Sequence, residues 1–136
     1  MRTSILILIL LNLVGCANNS YEEIHKSPSG KLTVKIYVGD RLDKNDKYNL
    51  TFRLVNNNSI EYDYLNTRAS DIMKWAFVWY NDDIIILDSH DVGTQAWAIT
   101  ENRFQQIPVT KEMFELGEKA FKEKYSNAHW ANFWIV

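Results

Sequence analysis

Short alternating runs of apolar and polar residues, separated by turn-forming clusters, recur along this chain and restrict it to a mainly β fold. From Lys31 to Val38, Leu32, Val34, Ile36 and Val38 fall on one face and Lys31, Thr33 and Lys35 on the other, the period of a half-buried strand. Tyr48, Leu50, Phe52 and Leu54 alternate in the same way with Asn49, Thr51 and Arg53, and a third strand is expected through Ile60, Tyr62 and Tyr64. Ser27-Pro28-Ser29-Gly30 reads as a turn, Gly39–Lys47 as a charged loop and Asn56-Asn57-Asn58 as a hairpin turn. Met73–Tyr80 is apolar on both faces, as is Ile84–Leu87, so both are expected as central strands around the Asn81-Asp82-Asp83 turn. Asn66–Asp71 is a connection with room for a helical turn. Further strands start at Gly93 and, after Glu101-Asn102, at Arg103.

One segment changes period. Thr110 is a suitable N-cap, Glu112 suits the first turn, and Met113, Leu116, Gly117, Ala120, Phe121 and Lys124 follow helical spacing. Gly117 inside that helix costs about 1 kcal/mol against Ala, which close packing on a sheet would explain. The tail His129–Val136 is apolar enough to be a docked last strand. The expectation is therefore an α+β, mainly β domain: one antiparallel sheet of about seven strands, with a half-barrel as one possible form, and a C-terminal helix near 110–125.

The N-terminus carries a different signal. Arg2 precedes the apolar run Ile5–Leu11, Asn12 interrupts it, and the only cysteine closes the sequence Leu13-Val14-Gly15-Cys16. A cationic start and a short apolar core describe a signal peptide, and the run is short of the roughly 20 residues that span a bilayer. No Ala-x-Ala-like cleavage site is present. The ending resembles the lipobox of bacterial lipoproteins, Leu-x-(Gly/Ala)-Cys. That resemblance implies cleavage before Cys16 and a diacylglyceryl thioether on it, whose two acyl chains meet the requirement for stable anchoring. Residues 1–15 are then a signal peptide, 16–26 the lipidated cysteine and a tether, and 27–136 a single globular domain. Ala17 after the cysteine implies, by the family's sorting tendency, the outer membrane facing the periplasm where the host has one.

Composition narrows the chemistry. Removing residues 1–15 from 136 leaves 121, and the loss of Arg2 takes the net charge from −2 to −3. No basic stripe is present, which argues against nucleic acid or an anionic lipid surface as a partner. With Cys16 lipidated no thiol is left, and no cofactor is expected.

The densest polar cluster is Asp88-Ser89-His90-Asp91. It holds the residue types of a Ser-His-Asp triad, but neighbours on extended chain point to opposite faces, whereas a triad is assembled from distant segments. Asp88 and His90 share a face and could bind a metal only with a third ligand, such as His129 or Asp82. The simpler expectation is a strand-end turn whose Asp and Ser bond backbone N–H groups, with Gly93 free to take a positive φ. Asp40, Asp43 and Asp46 depart from a calcium loop at most positions and read as a solvated loop. Of five tryptophans, Trp75, Trp79 and Trp97 are assigned to the core, while Trp130 and Trp134 are open to a binding platform. Glu61 and Asp63 read as the solvent face of a strand, and His25 lies in the tether.

In its Ser27-Pro28-Ser29-Gly30-Lys31 turn, first strand and Asp91-Val92-Gly93 region, the chain resembles small bacterial envelope lipoproteins. The turn is also similar to that of single propeller blades, although 121 residues are too few for a propeller. The anchor, a small sheet domain and the lack of a nucleophile–base or metal signature at any recognisable spacing point to a membrane-anchored, non-enzymatic binding module with a protein partner, for example an inhibitor or immunity protein against an envelope-acting enzyme. Its candidate binding residues are Asp88, His90, Asp91, Trp130 and Trp134. The alternatives are a structural component of an envelope assembly and a small metal-dependent or acid–base enzyme using the Asp88/His90 region.

Overall fold

A computed structural model describes residues 21–38 and 49–126. Eight strands and one helix follow in order: β1 (Tyr21–Lys26), β2 (Leu32–Val38), β3 (Asn49–Asn56), β4 (Glu61–Ser70), β5 (Trp75–Asn81), β6 (Ile84–Ser89), β7 (Gly93–Thr100), β8 (Arg103–Ile107) and α1 (Lys111–Tyr125). They form two four-stranded antiparallel sheets in simple chain order, β1-β2-β3-β4 and β5-β6-β7-β8. The single sheet of about seven strands is therefore corrected to two sheets of four, and these do not close into a barrel.

Period-two alternation explains how the sheets meet. Val34, Ile36 and Val38 of β2 lie beside Leu50, Phe52 and Leu54 of β3, and opposite them stand Trp75, Phe77, Ile85, Leu87 and Trp97 of the second sheet. This is the main core. The reverse face of the second sheet gathers Val78, Tyr80, Ile84, Ile86, Ala96 and Ile107 under Met113 and Leu116 of α1. The molecule thus has three layers, sheet on sheet on helix. At the margins the sheets are joined by side chains instead of a continuous ladder. Phe104 N–H donates to Asp63 Oδ2 at 2.8 Å between β8 and β4, and Trp79 Nε1 donates to the His25 carbonyl at 3.2 Å between β5 and β1.

Four local expectations change. Tyr21–Lys26, assigned to the tether, is an edge strand in register with β2 from Tyr21↔Val38 to Lys26↔Thr33. Its polar composition hides it, because the ladder is made by backbone groups whatever the side chains are. Met73–Tyr80 corresponds to β5, which is an edge strand and not a central one. Its two apolar faces arise because the first sheet covers one and α1 the other, an ambiguity that periodicity alone cannot resolve. The expected connection over Asn66–Asp71 is instead the continuation of β4 to Ser70, made possible by Arg68 at φ +65° and by Asn66 Oδ1 accepting Arg68 N–H at 2.8 Å. Asp63 is turned inward: a register shift places Leu54 opposite Asp63 but Val55 opposite Glu61.

Other expectations hold. Gly30 closes the Ser27 turn at φ +77°, its N–H donating to the Ser27 carbonyl at 2.8 Å. Thr110 Oγ1 caps α1 by accepting Met113 N–H at 3.2 Å. Gly117 lies against the second sheet, where a Cβ would stand 3.1 Å from Ile86 Cγ2. Trp75 and Trp97 are buried in the core, and Trp79 packs against it. The 39–47 loop with Asp40, Asp43 and Asp46, the N-terminal segment and the 129–136 tail lie outside the described residues.

Candidate functional site

The Asp88–Asp91 turn sits where β6 ends. Asp88 faces the helix and Ser89 faces the core, so the alternation that opposes a triad holds here. Ser89 Oγ donates to Asp91 Oδ1 at 3.0 Å and accepts Val92 N–H at 3.3 Å. Asp91 Oδ2 accepts Ser70 N–H at 2.8 Å, and His90 N–H donates to the Lys74 carbonyl at 2.9 Å. The turn therefore ties the end of the second sheet to the β4–β5 connection. The His90 ring stands 5.6 Å from that of Phe121 on α1. Burial beneath the helix pushes the Asp88 carboxyl above its usual range; Glu118 adds to this, against the Thr94 hydroxyl and His90. Among the described residues no group of three His, Cys, Asp or Glu could hold a metal. Asp82, one of the third ligands considered, is at the opposite end of the sheet, accepting Ser29 N–H at 2.8 Å. His129, Trp130 and Trp134 lie outside the described residues.

This geometry separates a structural turn from a reactive one. Asp91→Ala leaves Ser70 N–H and Ser89 Oγ without their carboxylate and is expected to lower unfolding stability by about 1–2 kcal/mol, water replacing part of the loss at an exposed site. His90→Ala removes one ring contact and should cost less than about 1 kcal/mol. Urea unfolding of the two variants checks the order, and a larger loss from His90→Ala would contradict this role for Asp91.

A second cluster was missed because β1 was assigned to the tether. Glu23 and His25 pair opposite Ile36 and Val34 and so face the second sheet at its β5 edge. There Glu23 Oε1 lies 3.1 Å from His25 Nε2, and its Oε2 lies 3.7 Å from Lys124 Nζ. Lys124 Nζ is 3.4 Å from the centre of the Trp75 ring, and the Tyr125 hydroxyl meets the backbone N–H and carbonyl of Trp75, each at 2.9 Å. Burial alone would raise the Glu23 carboxyl, but the His25 hydrogen bond and the Lys124 charge outweigh it and leave it below its usual range. Lys124 moves down as well, since burial costs its ammonium more than Glu23 restores. The cluster clamps the last turn of α1 onto both sheets, with the ammonium laid over an aromatic face and not aimed into a cleft. One sequence signal pointed here: Lys124 shares the helical stripe of Gly117 and Phe121.

The outward face of the first sheet holds a third arrangement. Tyr37, Arg53 and Tyr64 are cross-strand neighbours through Tyr37↔Thr51, Lys35↔Arg53 and Arg53↔Tyr64. The Arg53 guanidinium lies 4.5 Å from the Tyr37 ring centre and 5.6 Å from that of Tyr64, and its Nε is 3.5 Å from Glu61 Oε1. Exposed Ile24 lies on the same face, opposite Lys35. Alternation alone marks these positions only as a solvent face; the stacking depends on strand register.

No helix among the described residues is long and apolar enough to cross a membrane. No protein-family model matches the chain, and no curated protein or solved structure matches it.

Proposed function

We propose that this is a lipid-anchored envelope protein whose sandwich binds another protein and carries out no chemistry of its own, in the manner of an inhibitor or immunity protein directed at an envelope-acting enzyme. The anchor rests on Leu13-Val14-Gly15-Cys16. The binding role rests on one observation, the Tyr37–Arg53–Tyr64 row on the outward face of the first sheet. Tyr and Arg are enriched among the residues that dominate interface energies, and a guanidinium held between two rings loses little conformational freedom on docking. The Ser89 hydroxyl, the Asp91 carboxylate and the His90 N–H, in contrast, are engaged in holding two turns together.

The test is affinity capture from envelope extract with residues 17–136, run in parallel with Arg53→Ala. A single retained hydrolase, inhibited on binding, is the expected result. Arg53→Ala should weaken that complex by about 2 kcal/mol, roughly thirtyfold in Kd. Retention of a multi-component assembly would favour a structural role instead, and binding untouched by Arg53→Ala would remove this face from the interface.

A further inference from the structure

The two ends of the sandwich differ in chemistry. One end carries the turns Ser27–Lys31, Asn56–Ile60, Asn81–Asp83 and Glu101–Asn102, in which Ile60, 56% exposed, is the one large apolar side chain. The other is where the chain leaves Val38 and returns at Asn49 across the charged run of residues 39–48, and it also carries the β4–β5 connection and the β6–β7 turn, where Ile72 is 73% exposed, Met73 41% and Val92 43%. Two bonds fix these turns side by side, Ser70 N–H to Asp91 Oδ2 at 2.8 Å and His90 N–H to the Lys74 carbonyl at 2.9 Å. The apolar tip is therefore built into the fold.

The chain enters the domain at this same end. Tyr21 pairs with Val38, Asn49 with Ser70 and Trp75 with Ser89, so the start of β1 and the β4–β5 connection share it. Cys16 is five residues before Tyr21, a reach of at most about 18 Å for a fully extended chain. The polar turns are a further strand length away, about 20 Å. An anchor at Cys16 thus lies closer to the end that bears Ile72, Met73 and Val92 than to the end of the polar turns. Asp71, Lys74, Asp91 and Lys124 near this end are balanced in sign, and so are Asp40, Arg41, Asp43, Lys44, Asp46 and Lys47 of the connection between Val38 and Asn49, which suits an interface without requiring anionic lipid.

We propose that Ile72, Met73 and Val92 form a membrane-contacting tip that seats the sandwich end-on in the lipid surface to which Cys16 is anchored, with the polar turns directed away. This rests on the lipoprotein reading. Apolar side chains at such a tip enter the boundary between headgroups and acyl chains, as the apolar faces of interfacial helices do.

The experiment uses the lipidated full-length product. Because Cys16 is the only cysteine and its sulfur is blocked as a thioether in the lipidated product, Ile72→Cys, Val92→Cys and, at the opposite end, Ile60→Cys each supply a single thiol for an environment-sensitive fluorophore. The proteins are reconstituted in phosphatidylethanolamine–phosphatidylglycerol vesicles carrying a nitroxide-labelled lipid with the quencher just below the headgroup. Probes at 72 and 92 are expected to shift to the blue and lose emission, and the probe at 60 to do neither. Equal emission at 72, 92 and 60 in a lipidated protein would overturn the tip while leaving the anchor intact. So would a response at 72 and 92 to an added envelope protein but not to vesicles, which would make the tip a protein-docking surface. A wild-type protein whose Cys16 reacts with a thiol reagent would overturn the anchor, and the tip with it.

Discussion

Phe52→Ala is expected to lower the unfolding free energy by about 3–5 kcal/mol, the cost of emptying a fully buried aromatic site. Phe52 is completely inaccessible at the centre of the sandwich. Its ring meets Phe77 edge-on at 5.4 Å and Trp97 at 5.8 Å, with Phe104 at 6.4 Å, so one side chain on the first sheet joins three on the second. Each such aromatic pair adds about 0.5–1.5 kcal/mol beyond the buried area. The walls of the resulting cavity are strands held in register by their ladders, which leaves little room for collapse. Against a total stability of about 5–15 kcal/mol for a small domain, this is a large fraction. Urea midpoints measure it, with Phe114→Ala as the reference. Phe114 is an exposed helix residue, and its loss should stay within about 0.5 kcal/mol. Similar losses for the two would mean that the core is not centred on Phe52.

Gly117→Leu should reverse the sign that helix propensity gives. In an isolated helix, leucine is favoured over glycine by about 1 kcal/mol. In the folded chain even a Cβ at 117 would meet Ile86 Cγ2 at 3.1 Å, with Asp88 Cβ and Thr94 Cγ2 both at 3.5 Å. Leucine cannot enter that contact without lifting α1 off the sheet and opening the layer of Ile86, Ala96 and Met113. Overpacking of this kind costs about 1–3 kcal/mol. The expected result is higher helicity in a peptide of residues 110–126 and a lower urea midpoint in the whole protein. A higher midpoint in the protein would show that the helix does not rest closely on the second sheet at Gly117.

These two sites show what the sequence makes legible and what it does not. Gly117 was readable, because a helix that bears a costly glycine in its packed stripe implies a close neighbour. The alternation of β2 and β3, the Thr110 cap and the core positions of Trp75 and Trp97 were readable for equally local reasons. The division into two sheets was not, since hairpin order is the same whether eight strands lie in one sheet or break after the fourth. β1 was hidden by its polar side chains, and the inward turn of Asp63 by a register shift that no spacing announces. The candidate sites divide in the same way. The Asp88–Asp91 turn could be read from its residue types and alternation. The Glu23–Lys124 clamp and the Tyr37–Arg53–Tyr64 row depend on partners brought together only by register and layer packing.

The most direct test of the lipid-anchored role is the intact mass of the N-terminal peptide of the protein purified from the membrane fraction. A peptide that begins at Cys16 and carries a diacylglyceryl group, together with accumulation of the full-length chain in Cys16→Ser, is the expected result. A peptide beginning at Met1, or a mature protein with an unmodified Cys16, would contradict it.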